Sequence, residues 1–223
     1  EKAGLIPGDR IVSIDGKVVA GVKFPQDSMI RLLRGASGTK VNVEIRRDGE
    51  RVDFEIIRGK IPVKSVDVAY MMDDTTGYIK LSKFSRSSYV EFLKAMIKLR
   101  GEGIRKLVFD LRDNPGGYMD QALYLANEFL GKGDLIVYMQ GLHRARQNFT
   151  ADGNGLSQDI ELVVLINENS ASSSEIFAGA VQDNDRGTIV GRRSYGKGLV
   201  QEPIYFSDKS GIRLTVAKYY TPT

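Results

Sequence analysis

The feature that most constrains this chain is a unit that recurs from about residue 63 onward: a short apolar run, a polar turn, then residues with helical spacing. Residues 106–111 (KLVFDL) lead into Arg112-Asp113-Asn114-Pro115-Gly116-Gly117 and then into a helical pattern over 119–130. Residues 162–166 lead through small polar residues into helical spacing over 173–183. Residues 77–81 precede a helix that Ser87 or Ser88 caps and that runs to about Arg100. Strand-like runs at 135–139, 188–190, 198–206 and 212–220 complete the pattern. Strands alternating with helices in this way predict an α/β core.

The first sixty residues follow a different rule. Residues 9–19 place two strand-like runs around Asp15-Gly16, and 40–46 and 51–57 alternate apolar and polar residues around Asp48-Gly49. Both are hairpin signals. Between them, 28–34 (SMIRLLR) reads as a short amphipathic helix ending near Gly35. Glycine and proline over 58–62 (RGKIP) mark a boundary. The expectation is a small β-rich module over 1–61 and an α/β core over 62–223. No repeat or low-complexity segment interrupts either. The opening Glu1-Lys2-Ala3-Gly4 reads as the interior of a folded element, so the chain reads as a fragment.

Composition narrows the chemistry. A length of 223 residues is enough for one good core and a small second module. The absence of cysteine excludes thiol catalysis, disulfides and cysteine-based zinc sites. The net charge of +4 is spread along the chain. Its one basic cluster, 94–106, interleaves with Leu93, Met96, Ile97 and Leu99 and reads as the solvated face of an amphipathic helix. No apolar run approaches the length of a membrane span. The single histidine, His143, lies in the polar stretch 140–146 and reads as a surface residue of a loop or hairpin. A hydrolase built from these residues would use a different base.

Three segments carry the functional question. GRRSYGKGLVQ, 191–201, has the glycine and lysine spacing of a phosphate-binding loop, but Gly198 stands where such a loop needs Ser or Thr to hold Mg²⁺. A β-rich run with Pro203 stands where it needs a helix. The nucleotide reading fails on both counts. With period two, Lys197, Leu199 and Gln201 share a strand face. If that face is sheltered from water, the lysine loses ammonium solvation and can serve as a general base, with Gln201 fixing its direction; an exposed strand lysine is the plainer alternative for this segment alone. Ser170-Ala171-Ser172-Ser173-Ser174 runs from a strand into a helix, whose N-terminal N–H groups favour a developing oxyanion. Four serines in five positions leave the nucleophile open, and a serine-rich helix cap is the plainer alternative. In the third segment, 110–117, paired glycines permit close backbone approach to a ligand or a neighbouring strand.

Taken together and in this order, DLRDNPGG (110–117), SASSSEI (170–176) and GRRSYGKGLVQ resemble the three core blocks of the carboxyl-terminal processing proteases. These are tail-specific serine peptidases with a Ser-Lys dyad. GYIKLSKF (77–84) resembles the opening of that core, and residues 3–11 with Ile14-Asp15-Gly16 resemble the second half of a PDZ domain. The resemblance covers nearly the whole chain. It implies a core like that of crotonase and Clp-type peptidases, with Ser172 as nucleophile, Lys197 as base and Gln201 orienting the lysine. It implies supporting roles for Asp183, Glu175 and Ser194, and an oxyanion hole from the N–H groups of Ser173 and either Gly116 or Gly117. It implies no cofactor, metal, nucleotide or nucleic acid. The partners would be proteins or peptides with exposed C-terminal tails, with room for a homo-oligomer, and the location would be periplasm or cell envelope. In that family the PDZ strand and loop that bind a tail precede the matched half, and the core continues beyond the matched blocks. The rival reading is a catalytically inactive PDZ-containing scaffold, although both Ser172 and Lys197 are present.

Overall fold

The computed structural model describes residues 3–59 and 64–223. The chain divides into two compact units, Glu1–Val63 and Lys64–Thr223. The boundary expected between 61 and 62, and the opening Glu1-Lys2, lie outside the described residues.

The first unit is built from β1 (Arg10–Ile14), β2 (Lys17–Val18), α1 (Gln26–Leu33), β3 (Lys40–Arg47) and β4 (Glu50–Ile57). Its antiparallel sheet has the order β2-β1-β3-β4. Both tight turns fall on the Asp-Gly pairs, with left-handed φ at Asp15 (45°) and Gly16 (75°), and at Asp48 (50°) and Gly49 (94°). Two consecutive left-handed residues match the twist of the strands they join, which is why Asp-Gly is selected there. Val41, Val43 and Ile45 alternate inward along β3. With Ile14 and Val19 they form a core on which Met29, Leu32 and Leu33 of α1 pack.

The second unit contains, in chain order, β5 (Val66–Met71), β6 (Thr76–Leu81), α2 (Ser88–Gly101), β7 (Lys106–Asp110), α3 (Met119–Asn127), β8 (Leu135–Gly141) and β9 (Arg144–Thr150). It continues with β10 (Glu161–Ile166), α4 (Ser173–Asp183), β11 (Thr188–Gly191), β12 (Leu199–Tyr205) and β13 (Gly211–Tyr220). One sheet has the order β11-β10-β7-β6-β5, parallel except for β5. A second, antiparallel sheet has the order β12-β13-β8-β9. This is the α/β architecture expected from the alternating pattern.

Helices and strands meet in a cluster of four phenylalanines. Phe92 of α2, Phe109 of β7, Phe129 and Phe177 of α4 are all buried. Their rings meet edge to face in four pairs with centroids 5.1–5.9 Å apart, the geometry favoured by the ring quadrupole. β7 and β10 run side by side and parallel, with Asp110 opposite Leu165. That register brings their two strand-to-helix turns together, one carrying Gly116-Gly117 and the other Ser172.

Candidate active site

Ser172 sits at the junction of β10 and α4 with φ 55° and ψ −112°, a backbone conformation that a non-glycine residue holds only at a cost. The glycine turn supports it. Gly116 has φ +93°, and a Cβ there would stand 2.6 Å from the Ala171 carbonyl and 2.8 Å from the Ser172 Cβ. Only a residue without a side chain fits against the elbow. Gly117 is equally constrained, because a Cβ there would collide with the Phe84 carbonyl.

The four neighbouring serines separate by what their hydroxyls do. Ser170 donates to the Leu111 carbonyl at 2.7 Å, Ser173 to the Gly117 carbonyl at 3.1 Å, and Ser174 to the Asn114 carbonyl at 2.9 Å. All three are buried. Ser172 is half-buried and its hydroxyl donates no hydrogen bond among the described residues. Three serines therefore stitch the two turns together, whereas Ser172 is the N-cap of α4, in a capping-box arrangement with Glu175, and its hydroxyl proton is not given to a carbonyl.

Asn114 is fully buried and is the part of the site that motif reasoning missed. Its side chain donates to the Leu81 carbonyl and accepts the Gly116 N–H, each at 2.9 Å. Its backbone carbonyl accepts from Ala171 N and Ser174 Oγ. The Asn-Pro pair ahead of Gly-Gly was the available signal, since such pairs start turns. The N–H groups nearest Ser172 thus differ. That of Gly116 is committed to Asn114, whereas those of Gly117 and Ser173, the latter at the first position of α4, have no partner among the described residues.

A second buried group fixes the start of the same turn. The Asp110 carboxylate, with no exposed surface, accepts from the Tyr78 hydroxyl at 2.5 Å and from the backbone and guanidinium of Arg112. Burial opposes its ionisation, but the bonds from Arg112 and Tyr78 outweigh this and hold the carboxyl below its ordinary range. Burial, reinforced by the carboxylate, pushes Tyr78 up to about 12.

Glu175, one turn into α4, organises the third segment. Its carboxylate accepts the backbone N–H of Ser172 (2.8 Å), the Ser194 hydroxyl (2.8 Å), and the backbone N–H groups of Gly196 (2.6 Å) and Lys197 (2.8 Å). One side chain therefore ties the serine elbow to the loop that carries the lysine. Ser172, Glu175 and Lys197 line a cavity of about 250 Å³, together with Val137, Ile176 and Tyr219.

Lys197 is not sheltered as a role as general base would require; it is exposed, as the plainer reading of its segment has it. β12 begins only at Leu199. Gly196, with φ +88°, and Gly198 flank the lysine in an irregular segment outside any strand, so period-two geometry does not extend back to residue 197. Gln201 is exposed, pairs with Thr215 next to a bulge, and makes no side-chain hydrogen bond to Lys197 among the described residues. Asp183 closes the far end of α4, about 16 Å along the axis from Ser172 at 1.5 Å per residue. There its carboxylate accepts the Thr223 N–H. Burial raises its pKa, but bonds from Thr221 and Thr223 more than offset this and leave it lowered. His143 lies in the exposed turn between β8 and β9, as expected. Among the described residues no group of carboxylates and histidine is placed to hold a metal.

The model of peptidase family S41 matches residues 75–223, and a PDZ domain model matches residues 1–47. A probable CtpA-like serine protease of Staphylococcus saprophyticus is 38% identical over 223 residues, covering all of this chain and 45% of the relative. A carboxyl-terminal-processing protease of Synechocystis sp. is 40% identical over 227 residues, covering all of this chain and 52% of the relative. The chain thus spans about half the length of these relatives. Among solved structures, the photosystem II D1 C-terminal processing protease superposes with a TM-score of 0.66 at 32% identity, over 99% of this chain and 60% of that one. The likeness to mature CPAF, at 16% identity and a TM-score of 0.54, is one of fold. On the match of two-thirds of its residues to the family model, the chain belongs to peptidase family S41.

Proposed function

We propose that the chain is the working part of a serine endopeptidase in which Ser172 is the nucleophile and Lys197 the general base. The observation that carries this reading is the contrast among the four serines. Only Ser172 keeps its hydroxyl free of a carbonyl acceptor, and it shares a cavity wall with Lys197.

The chemistry runs in two halves. The neutral amine of Lys197 takes the Ser172 proton as the oxygen attacks the peptide carbonyl carbon. The Ser173 and Gly117 N–H groups receive the oxyanion, the Gly116 N–H being held by Asn114. The tetrahedral species collapses, the lysine ammonium gives its proton to the leaving amine, and an acyl-enzyme remains. Water then attacks the ester, Lys197 accepts its proton, and Ser172 is reprotonated as the acid leaves. A base at this position must lose water before it can work near neutrality. Lys197 is exposed in the structure, so filling of the cavity by substrate supplies that desolvation. Glu175 is a positioning residue, and Ser194 helps to hold it. Gln201 and Asp183 stand outside this arrangement.

The PDZ match over residues 1–47 supports recognition of substrate tails, since a PDZ sheet edge binds a C-terminal segment as an added strand, although in the family the strand and loop that hold the tail precede the matched half. The test is cleavage of an unstructured protein ending in apolar residues, by the protein and by its Ser172→Ala and Lys197→Ala variants. The reading expects cleavage by the parent alone. Equal cleavage by all three overturns it.

A further inference from the structure

The connection between β6 and α2, residues 82–87, carries two cations, Lys83 and Arg86, and no acid. Phe84 ties it to the glycine turn. The Phe84 N–H donates to the Gly116 carbonyl at 3.0 Å, and its carbonyl accepts the Tyr118 N–H at 2.8 Å. Arg86 is therefore carried at the same turn that braces Ser172. Its guanidinium lies over the Tyr118 ring, 4.6 Å from the centroid, and that ring is 45% exposed.

Arg86 has no ion pair among the described residues, unlike Arg112 and Arg192 in neighbouring loops, which hold Asp110 and Glu168. The carboxylates around the connection accept from donors other than Arg86. Glu91 accepts from Ser65 N, Val66 N and Ser87 Oγ. Asp67 accepts from Ser82 Oγ, and Asp120 from the Gln121 N–H. Stacking on an aromatic face occupies the flat side of a guanidinium and leaves its edge N–H groups free to form a fork. It also restricts the side chain beforehand, so less freedom is lost when a carboxylate arrives.

We propose that Arg86, laid over Tyr118 beside the Gly117 turn, is a specificity residue that pairs with a carboxylate side chain of the bound substrate. The enzyme then favours Asp or Glu at one position along the substrate segment that runs past this turn. The inference rests on the peptidase reading above. For an exposed ion pair the preference is about 2- to 5-fold in kcat/KM for Glu over Gln at that position. It shrinks in 1 M salt, where the screening length is about 3 Å.

The experiment uses the protein and a set of unstructured peptides sharing one cleavable bond. Glu, Gln or Lys is placed in turn at each of four positions on either side of that bond. The readout is the Glu-to-Gln ratio of kcat/KM within each enzyme, which cancels differences in folded fraction. The expected result is one position with a raised ratio in the parent. That ratio falls to near one in Arg86→Gln, and Arg86→Glu favours Lys at the same position. A ratio near one at every position in the parent overturns the inference, as does a preference that survives in both variants. Cleavage of the peptides by Ser172→Ala at the parent's rate instead overturns the peptidase reading itself, so the two failures are distinguishable.

Discussion

Glu175 is the residue on which the geometry of the site converges, because its carboxylate receives four donors from two separate segments. Glu175→Ala frees the Lys197 loop, and misplacement on the ångström scale lowers kcat about 100-fold. Steady-state kinetics should show this in kcat with a smaller change in KM. Gly116→Ala forces a Cβ against the Ser172 elbow at a left-handed φ. It should destabilise the protein by about 1–3 kcal/mol in denaturant titration and abolish peptide cleavage. At this scale the motifs were legible because a strand-to-turn-to-helix junction demands glycine and small polar residues. The choice among four serines was not, since it depends on which carbonyls of a distant turn lie within reach. The exposure of Lys197 is the plainer reading of its segment; what alternation could not show is that the strand starts only beyond it, at Leu199.

Among the elements, the strands and helices that bury one face were readable from their spacing, and α4 has the boundaries its pattern predicts. β9 was not legible as a strand, for a physical reason. Its sequence RARQNFT keeps almost every side chain exposed, so no alternation marks it. α3 ends at Asn127, before the expected 130, and the turns that follow still bury Phe129 and Leu130. The phenylalanine cluster is what fastens the helices to the sheet. Phe177→Ala removes two edge-to-face contacts and leaves a cavity, for about 3–5 kcal/mol of lost stability. Asp110 gives the element scale its pH dependence. Its carboxyl is lowered in the folded state, so its contribution is present above the unfolded value of about 3.9 and is lost as pH falls through the folded value. In a denaturation series Asp110→Asn should be the less stable protein at pH 7, and the two curves should converge in acid.

At the scale of the whole molecule, each unit has its own buried cluster. Ile45→Ala should therefore cost the first unit about 2–5 kcal/mol, read as a lowered calorimetric transition of that unit. In the sequence a hairpin-rich pattern gives way to strand–helix alternation near residue 63, and the structure divides into its two compact units between Val63 and Lys64. What holds the turns of the candidate site together was not legible, because it is a set of side-chain bonds between turns more than fifty residues apart, such as Ser170 to Leu111. The central claim is that Lys197 activates Ser172. It is tested most directly by treating the protein with a serine-directed phosphonate probe and locating the adduct by peptide mass spectrometry. The account predicts one adduct, on Ser172, formed much more slowly in Lys197→Ala; an adduct on Ser170, Ser173 or Ser174, or an unchanged rate in Lys197→Ala, would contradict it.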